Sequence, residues 1–105
     1  MKPLRPSDLQ ARLAAGESLQ LVDVREHPEW NLARIEGALH IPLADLPRRQ
    51  TELNPDAPVV CICHHGMRSA HAAAFLAQCG FEDIWNLTGG VDAWAREVDP
   101  GMARY

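Results

Sequence analysis

The run Val59-Val60-Cys61-Ile62 is the segment that most constrains how this 105-residue chain can fold. Four consecutive apolar residues follow Pro58, and no polar residue alternates with them. A strand with one face in water alternates apolar and polar residues, whereas a strand covered on both faces is apolar throughout. The run therefore predicts the central strand of a parallel sheet with helices packed on both sides.

Strand-like and helix-like segments alternate along the rest of the chain. Short apolar segments predict further strands at residues 19–24, 38–41 and 84–87. Amphipathic segments predict a first helix starting at Ser7 and further helices over residues 28–33, 46–53, 68–79 and 91–98. This alternation is typical of parallel βαβ units. We expect one α/β domain, residues 4–105, with a small, mostly parallel sheet of about five strands flanked by helices on both faces.

Residue types at the helix ends add detail to this expectation. Ser7 and Gln10 have the spacing of a capping box, so Ser7 is expected to be the N-cap of the first helix. One apolar face on the longest helix comprises Ala72, Phe75, Leu76 and Cys79. Gly80 is expected to end that helix. Cys79, like Cys61 in the apolar run, is therefore interpreted as a packing residue.

Charge and composition exclude several classes of function. The formal net charge of −4 argues against a nucleic acid or an anionic membrane as a partner, because both need clustered basic side chains. No run is long and apolar enough for a membrane span, and no apolar leader follows Met1, so we expect a cytoplasmic protein. Three cysteines are too few for a disulfide framework, which fits a reducing compartment.

Cys63 is the candidate nucleophile. It directly follows the apolar run, and ligands of open parallel sheets bind beyond the carboxyl ends of the strands. A helix is expected to start near Arg68 or Ser69. Free N–H groups and aligned peptide dipoles at a helix N-terminus stabilise an anion, so this position favours the reactive thiolate.

The residues after Cys63 suit the binding of an anion. Gly66 allows a tight turn, and the successive N–H groups of residues 64–69 can then point inward as a nest. Arg68 is expected to supply a fixed positive charge, and His64 and His65 can add charge as the pH falls. The predicted site comprises Cys63 and the loop residues His64, His65, Gly66, Met67, Arg68 and Ser69.

The loop Cys63-His64-His65-Gly66-Met67-Arg68-Ser69 resembles the active-site loop of the rhodanese family of sulfurtransferases, where a cysteine opens a short cradle that ends in arginine. Other segments agree with that family in the expected order. They are Leu21-Val22-Asp23-Val24-Arg25-Glu26, Gly37-Ala38-Leu39-His40-Ile41-Pro42 and Asn86-Leu87-Thr88-Gly89-Gly90-Val91-Asp92-Ala93-Trp94. The resemblance spans nearly the whole chain, as in the single-domain rhodaneses, and implies a three-layer rhodanese-like domain.

The resemblance implies a two-step transfer of a sulfane sulfur. Cys63 would take the sulfur from thiosulfate or from a persulfide, including a protein persulfide, and a thiol or cyanide would then accept it. No cofactor is implied. Asp23 and Arg25 would support the site, Asp23 by accepting loop N–H bonds and Arg25 by an internal ion pair. His64 and His65 stand where family members often carry a basic residue followed by a small polar one.

The same residues could serve other functions, and each of these has its own requirements. Tetrahedral zinc sites draw on paired ligands, and no second pair accompanies Cys61 and Cys63, so no metal is expected. A dual-specificity phosphatase needs a longer loop than the four residues between Cys63 and Arg68. A non-enzymatic rhodanese-like module, acting as sulfur carrier or regulator, typically lacks the cysteine. Arsenate reduction at the same thiolate stays open as an alternative.

Overall fold

The structure is a computed structural model that describes residues 1–105. Its strands are β1 (Lys2–Leu4), β2 (Gln20–Asp23), β3 (Leu39–His40), β4 (Val59–Ile62) and β5 (Ile84–Leu87). All neighbours pair in parallel, in the order β1-β5-β4-β2-β3. β4 is therefore the middle strand, as its apolar sequence predicts, and all four of its residues are buried.

Helices cover both faces of the sheet. They are α1 (Pro6–Ala14), α2 (His27–Leu32), α3 (Leu46–Arg49), α4 (Met67–Gln78) and α5 (Gly90–Glu97), and 3₁₀ turns at Leu43–Asp45 and Gln50–Glu52 flank α3. The fold is thus the expected three-layer α/β arrangement, with a five-stranded, all-parallel sheet. None of these helices is long and apolar enough to cross a membrane.

Alternate residues of β4 pack into two separate cores. Val59 and Cys61 join the core beneath α4, which contains Leu76. Val60 and Ile62 join the core on the other face, beneath α1 and α5. Burying an aliphatic side chain of this size contributes roughly 1.5–3 kcal/mol, so the strand anchors both layers at once.

Two expectations about local structure are wrong, and one strand was not predicted. α1 begins at Pro6 with Arg5 as N-cap, so Ser7 lies inside the first turn; proline fits there because it has no N–H to leave unpaired. β1 was not predicted: it is a three-residue edge strand with Pro3 at its centre, and only an edge strand tolerates that proline. Cys79 is exposed, because α4 ends at Gln78 and its buried face stops at Leu76.

The first turn of α5 lies directly against the end of β4. The N–H of Val91 donates to the carbonyl oxygen of Cys63 at 2.8 Å, and the N–H of Asp92 donates to that of His64 at 3.1 Å. Gly90 adopts a positive φ of 60°, and a Cβ there would overlap both carbonyl groups. This close approach requires glycine at position 90 and fixes the direction in which the chain leaves β4.

We expect Gly90→Ala to cost roughly 3–5 kcal/mol of unfolding free energy, because it combines backbone strain with overpacking. Gly80→Ala is the matched control: Gly80 also has a positive φ, but a Cβ there meets nothing within 4 Å. Strain alone should cost about 1–2 kcal/mol at that position. Urea unfolding of both variants measures the difference, and equal losses would show that the approach of α5 is not tight.

Candidate active site

The sulfur of Cys63 lies at the carboxyl end of β4, within a loop that curls around it. The residue is only 1% exposed. The N–H of Gly66 donates to Sγ at 3.0 Å, and Ser69 Oγ lies 3.3 Å from Sγ. Gly66 can turn its N–H back towards the sulfur because it adopts a φ of 115°. α4 starts at the next residue, so the sulfur also lies at the positive end of a twelve-residue helix.

Ser69 connects the sulfur to β5. Its hydroxyl donates to Asn86 Oδ1 at 2.5 Å, and Asn86 Nδ2 donates to the carbonyl oxygen of Gly66 at 3.0 Å. A hydroxyl has one proton, so Ser69 can donate to Asn86 beside a neutral thiol and to Sγ beside a thiolate. The Ser69–Asn86 pair therefore provides a donor that responds to the charge of the sulfur.

The neighbouring Cys61 shows what a purely structural thiol looks like in this chain. It lies inside β4, and burial raises the pKa of its thiol to about 12. Cys63 differs by having an N–H group and a hydroxyl directed at its sulfur. These polar contacts, which Cys61 lacks, distinguish Cys63 as a candidate nucleophile from a cysteine that only packs in the core.

Arg68 is paired with a carboxylate that the sequence analysis did not identify. Arg68 Nη1 donates to Glu29 Oε1 at 2.7 Å, and Nη2 donates to Oε2 at 2.9 Å. This bidentate hydrogen bonding is the main reason that the pKa of Glu29 is lowered to about 2, and it raises the pKa of Arg68. The positive charge expected at Arg68 is present, but a negative charge from α2 lies directly against it.

Asp23 and Arg25 form a buried ion pair behind the site. Arg25 Nη2 donates to Asp23 Oδ2 at 2.8 Å, and the two side chains are fully buried. Asp23 also accepts the backbone N–H of Arg25 at 3.0 Å. The expectation that Asp23 accepts N–H bonds from the loop around Cys63 is wrong, because Arg25 occupies its oxygens. The internal pairing expected of Arg25 is present.

The last residue of the sequence also belongs to the site. The Tyr105 ring stacks on His64, with centroids 3.9 Å apart and planes inclined by 10°. Its hydroxyl accepts from Arg25 Nη1 at 2.7 Å and donates to Glu29 Oε2 at 2.9 Å. Burial lowers the pKa of His64, which favours the neutral form of this imidazole.

The remaining loop residues lie at the rim. His65 is largely exposed, with Nδ1 4.0 Å from Asp92 Oδ2, and Met67 is 77% exposed. The structure thus brings Gly66 and Ser69 to the sulfur and places His64, His65 and Met67 around it, with Arg68 tied to α2. Sequence reasoning missed Glu29, Asn86 and Tyr105. Of these three, only Asn86 lies in a segment that carries the family resemblance, so the sequence offered a signal for Asn86 alone.

The Glu29–Arg68 pair predicts a specific dependence of stability on pH. Because the pKa of Glu29 is about 2 in the fold, against an ordinary 4.5, its contribution is complete above pH 5 and is lost as the pH falls towards 2. Wild type should therefore lose up to about 3 kcal/mol more than Glu29→Gln over that interval. Urea unfolding at several pH values measures this.

Glu52→Gln is the control for that experiment. Glu52 pairs with Arg49 at 2.7 Å, but the pair is exposed at the surface. An exposed ion pair contributes little, so Glu52→Gln should follow the wild-type curve. Parallel curves for wild type and Glu29→Gln would contradict a stabilising role for the Glu29–Arg68 pair.

Comparison with known proteins identifies the fold and the family. The family model for the rhodanese-like domain matches residues 5–97. A rhodanese-like domain protein of Staphylococcus aureus superposes with a TM-score of 0.87 at 30% identity, covering 100% of this chain and 99% of that one. The likeness therefore extends over the whole of this chain.

Curated relatives carry sulfurtransferase names. A sulfurtransferase of Allochromatium vinosum is 41% identical over 90% of this chain and 89% of its own length. The thiosulfate sulfurtransferase GlpE of Shewanella oneidensis is 34% identical over 79% and 82%. The probable adenylyltransferase/sulfurtransferase MoeZ of Mycobacterium tuberculosis is 38% identical over 97% of this chain, which spans only 26% of that protein. The chain belongs to the family of rhodanese-like domains.

Proposed function

We propose that this protein transfers a sulfane sulfur from a donor to a thiophilic acceptor through a persulfide on Cys63. The observation that carries the proposal is the surroundings of the sulfur. Sγ lies at the N-terminus of α4, and the N–H of Gly66 and the hydroxyl of Ser69 lie within hydrogen-bonding distance. These groups stabilise a sulfur anion, which is the form that attacks and the form that leaves.

The first step takes the sulfur from the donor. The Cys63 thiolate attacks the outer sulfur of thiosulfate, a new S–S bond forms, and the old S–S bond breaks with its electron pair leaving on sulfite. With a hydropersulfide donor, R–S–S⁻, the thiolate R–S⁻ leaves with the electron pair of the broken S–S bond. The product in both cases is a Cys63 persulfide, whose terminal sulfur carries the negative charge that the loop N–H groups can hold.

The second step returns the enzyme to its starting state. A cyanide ion or a thiolate attacks the outer sulfur of the persulfide, and the S–S bond breaks with its electrons going to Cys63 Sγ. Neither step needs an external oxidant or a cofactor, because the transfer of the sulfur involves no net oxidation or reduction. Each half-reaction is complete by itself, so ping-pong kinetics is expected.

The names of the relatives support both the type of reaction and one of the proposed donors. Several full-length relatives are named sulfurtransferases, and GlpE is named for thiosulfate as donor. We propose thiosulfate or a persulfide, including a protein persulfide, as donor and a thiol or cyanide as acceptor.

Intact-protein mass spectrometry after mixing with a sulfane donor tests the persulfide directly. Wild type should gain the mass of one sulfur, and Cys63→Ser should gain none. Cys79→Ser is the control for the exposed thiol and should gain sulfur like wild type. Sulfur gained by Cys63→Ser, or none gained by wild type with thiosulfate and an alkyl hydropersulfide, would overturn the proposed function.

Ser69→Ala tests the hydroxyl beside the sulfur. We expect roughly 10-fold slower alkylation of Cys63 by iodoacetamide at pH 7, because a hydrogen bond to the charged sulfur is lost. The measurement uses a Cys79→Ser background, since Cys79 is exposed and Cys61 is buried. Ser7→Ala, a surface change in α1, is the matched control. An unchanged rate in Ser69→Ala would remove Ser69 from the site.

A further inference from the structure

Every guanidinium near Cys63 is matched by a carboxylate. Arg68 is paired with Glu29, and Arg25 behind it is paired with Asp23. Burial of His64, which directly follows the cysteine, lowers the pKa of its imidazole and so disfavours a positive charge there. Each fixed positive charge near the sulfur is therefore already compensated by a negative charge.

Glu29 is held in place from several directions. Besides the two bonds from Arg68, Oε1 accepts the N–H of Glu26 at 3.1 Å and Oε2 accepts the Tyr105 hydroxyl at 2.9 Å. Glu26 is the N-cap of α2, so the carboxylate is tied to the first turn of its own helix. Moving it away from Arg68 would break four hydrogen bonds at once.

This arrangement affects how an anionic donor is received. A donor that approaches the Cys63 thiolate is attracted by the backbone N–H groups and by Arg68, and is repelled by Glu29. The Coulomb energy of each contact scales with the charge of the donor, so Glu29 repels a dianion twice as strongly as a monoanion.

We propose that Glu29 is a specificity-determining residue that favours sulfane donors with one negative charge over dianionic donors such as thiosulfate. This inference rests on sulfur transfer at Cys63 as proposed above, and it adds the charge class of the donor. Hydropersulfide anions, R–S–S⁻, belong to the favoured class. Tyr105 and Glu26 are positioning residues, because they act only through the carboxylate of Glu29.

Two donors that differ by one charge provide the test. Thiosulfate is a dianion, and methanethiosulfonate, CH₃SO₂S⁻, replaces one of its oxygens with a methyl group. The Cys63 thiolate attacks the terminal sulfur of either donor and forms the same persulfide. The S–S bond that breaks leaves its electron pair on sulfite in one case and on methanesulfinate in the other, so the reacting atoms are the same.

The experiment compares kcat/KM for both donors in wild type and Glu29→Gln. Removing one negative charge should raise the methanethiosulfonate value about 3-fold and the thiosulfate value about 10-fold, because the effect on the logarithm doubles with the charge. The gain should appear mainly as a lower KM for thiosulfate. Glu52→Gln makes the same change in net charge on the surface beside Arg49, and should leave both values unchanged.

The outcomes separate this inference from the proposed function. If Glu29→Gln changes kcat/KM by the same factor for both donors, or lowers kcat/KM for thiosulfate, the role of Glu29 is overturned while sulfur transfer at Cys63 is not. A wild type that forms no persulfide with either donor would overturn both.

The salt dependence of wild type tests the inference without any substitution, should Glu29→Gln fold poorly. With no uncompensated cation at the site, raising the salt from about 20 to about 300 mM should not lower kcat/KM for thiosulfate. A steep fall with thiosulfate, together with a shallower one for methanethiosulfonate, would reveal an unpaired positive charge and overturn the inference.

Discussion

The contact between the first turn of α5 and the end of β4 is the constraint on which the rest of the site depends. Two N–H groups of α5 donate to the carbonyl oxygens of Cys63 and His64. Asn86 Nδ2 donates to the carbonyl oxygen of Gly66. These bonds fix the orientation of three peptide groups of the loop, and the N–H of Gly66 donates to Sγ. The geometry of the loop is therefore imposed on it by its neighbours, and Gly90 allows α5 to come close enough.

A chain of charged and polar groups connects parts of the sequence that are otherwise far apart. It runs from Asp23 through Arg25, Tyr105 and Glu29 to Arg68. Burial of Arg25 is costly unless it is paired, and Asp23 provides that partner at the end of β2. The chain ties α2 and the last residue to the first turn of α4, so the position of Arg68 and the stability of this side of the molecule depend on the same hydrogen bonds.

Local sequence patterns predicted those parts of the structure that depend on burial and on chain direction. The apolar run of β4 indicated a central strand, and the position of Cys63 after it indicated where a site would lie. β1 was not predicted, because a strand of three residues that includes a proline is too short to show a hydrophobic periodicity. The capping spacing at Ser7 was misleading, because Pro6 is itself a good first residue of a helix.

The electrostatic partners within the site could not be predicted in this way. Glu29 lies 39 positions from Arg68, and Tyr105 lies 76 positions from Glu29. Side-chain pairing over such separations follows from how the helices dock, and it leaves no local pattern in the chain. The exposure of Cys79 was not predicted for a different reason. The helical repeat of apolar residues in the sequence continues one residue past the end of α4.

The two sides of the candidate site differ in local stability. β4 is paired along both edges and wholly buried, so we expect its amide hydrogens to be among the slowest in the chain to exchange. α2 has six residues and none of them is buried, so its place in the fold depends on contacts such as the four hydrogen bonds to Glu29. The sulfur is therefore held by the core of the molecule, whereas the carboxylate beside Arg68 is held by hydrogen bonds outside the core.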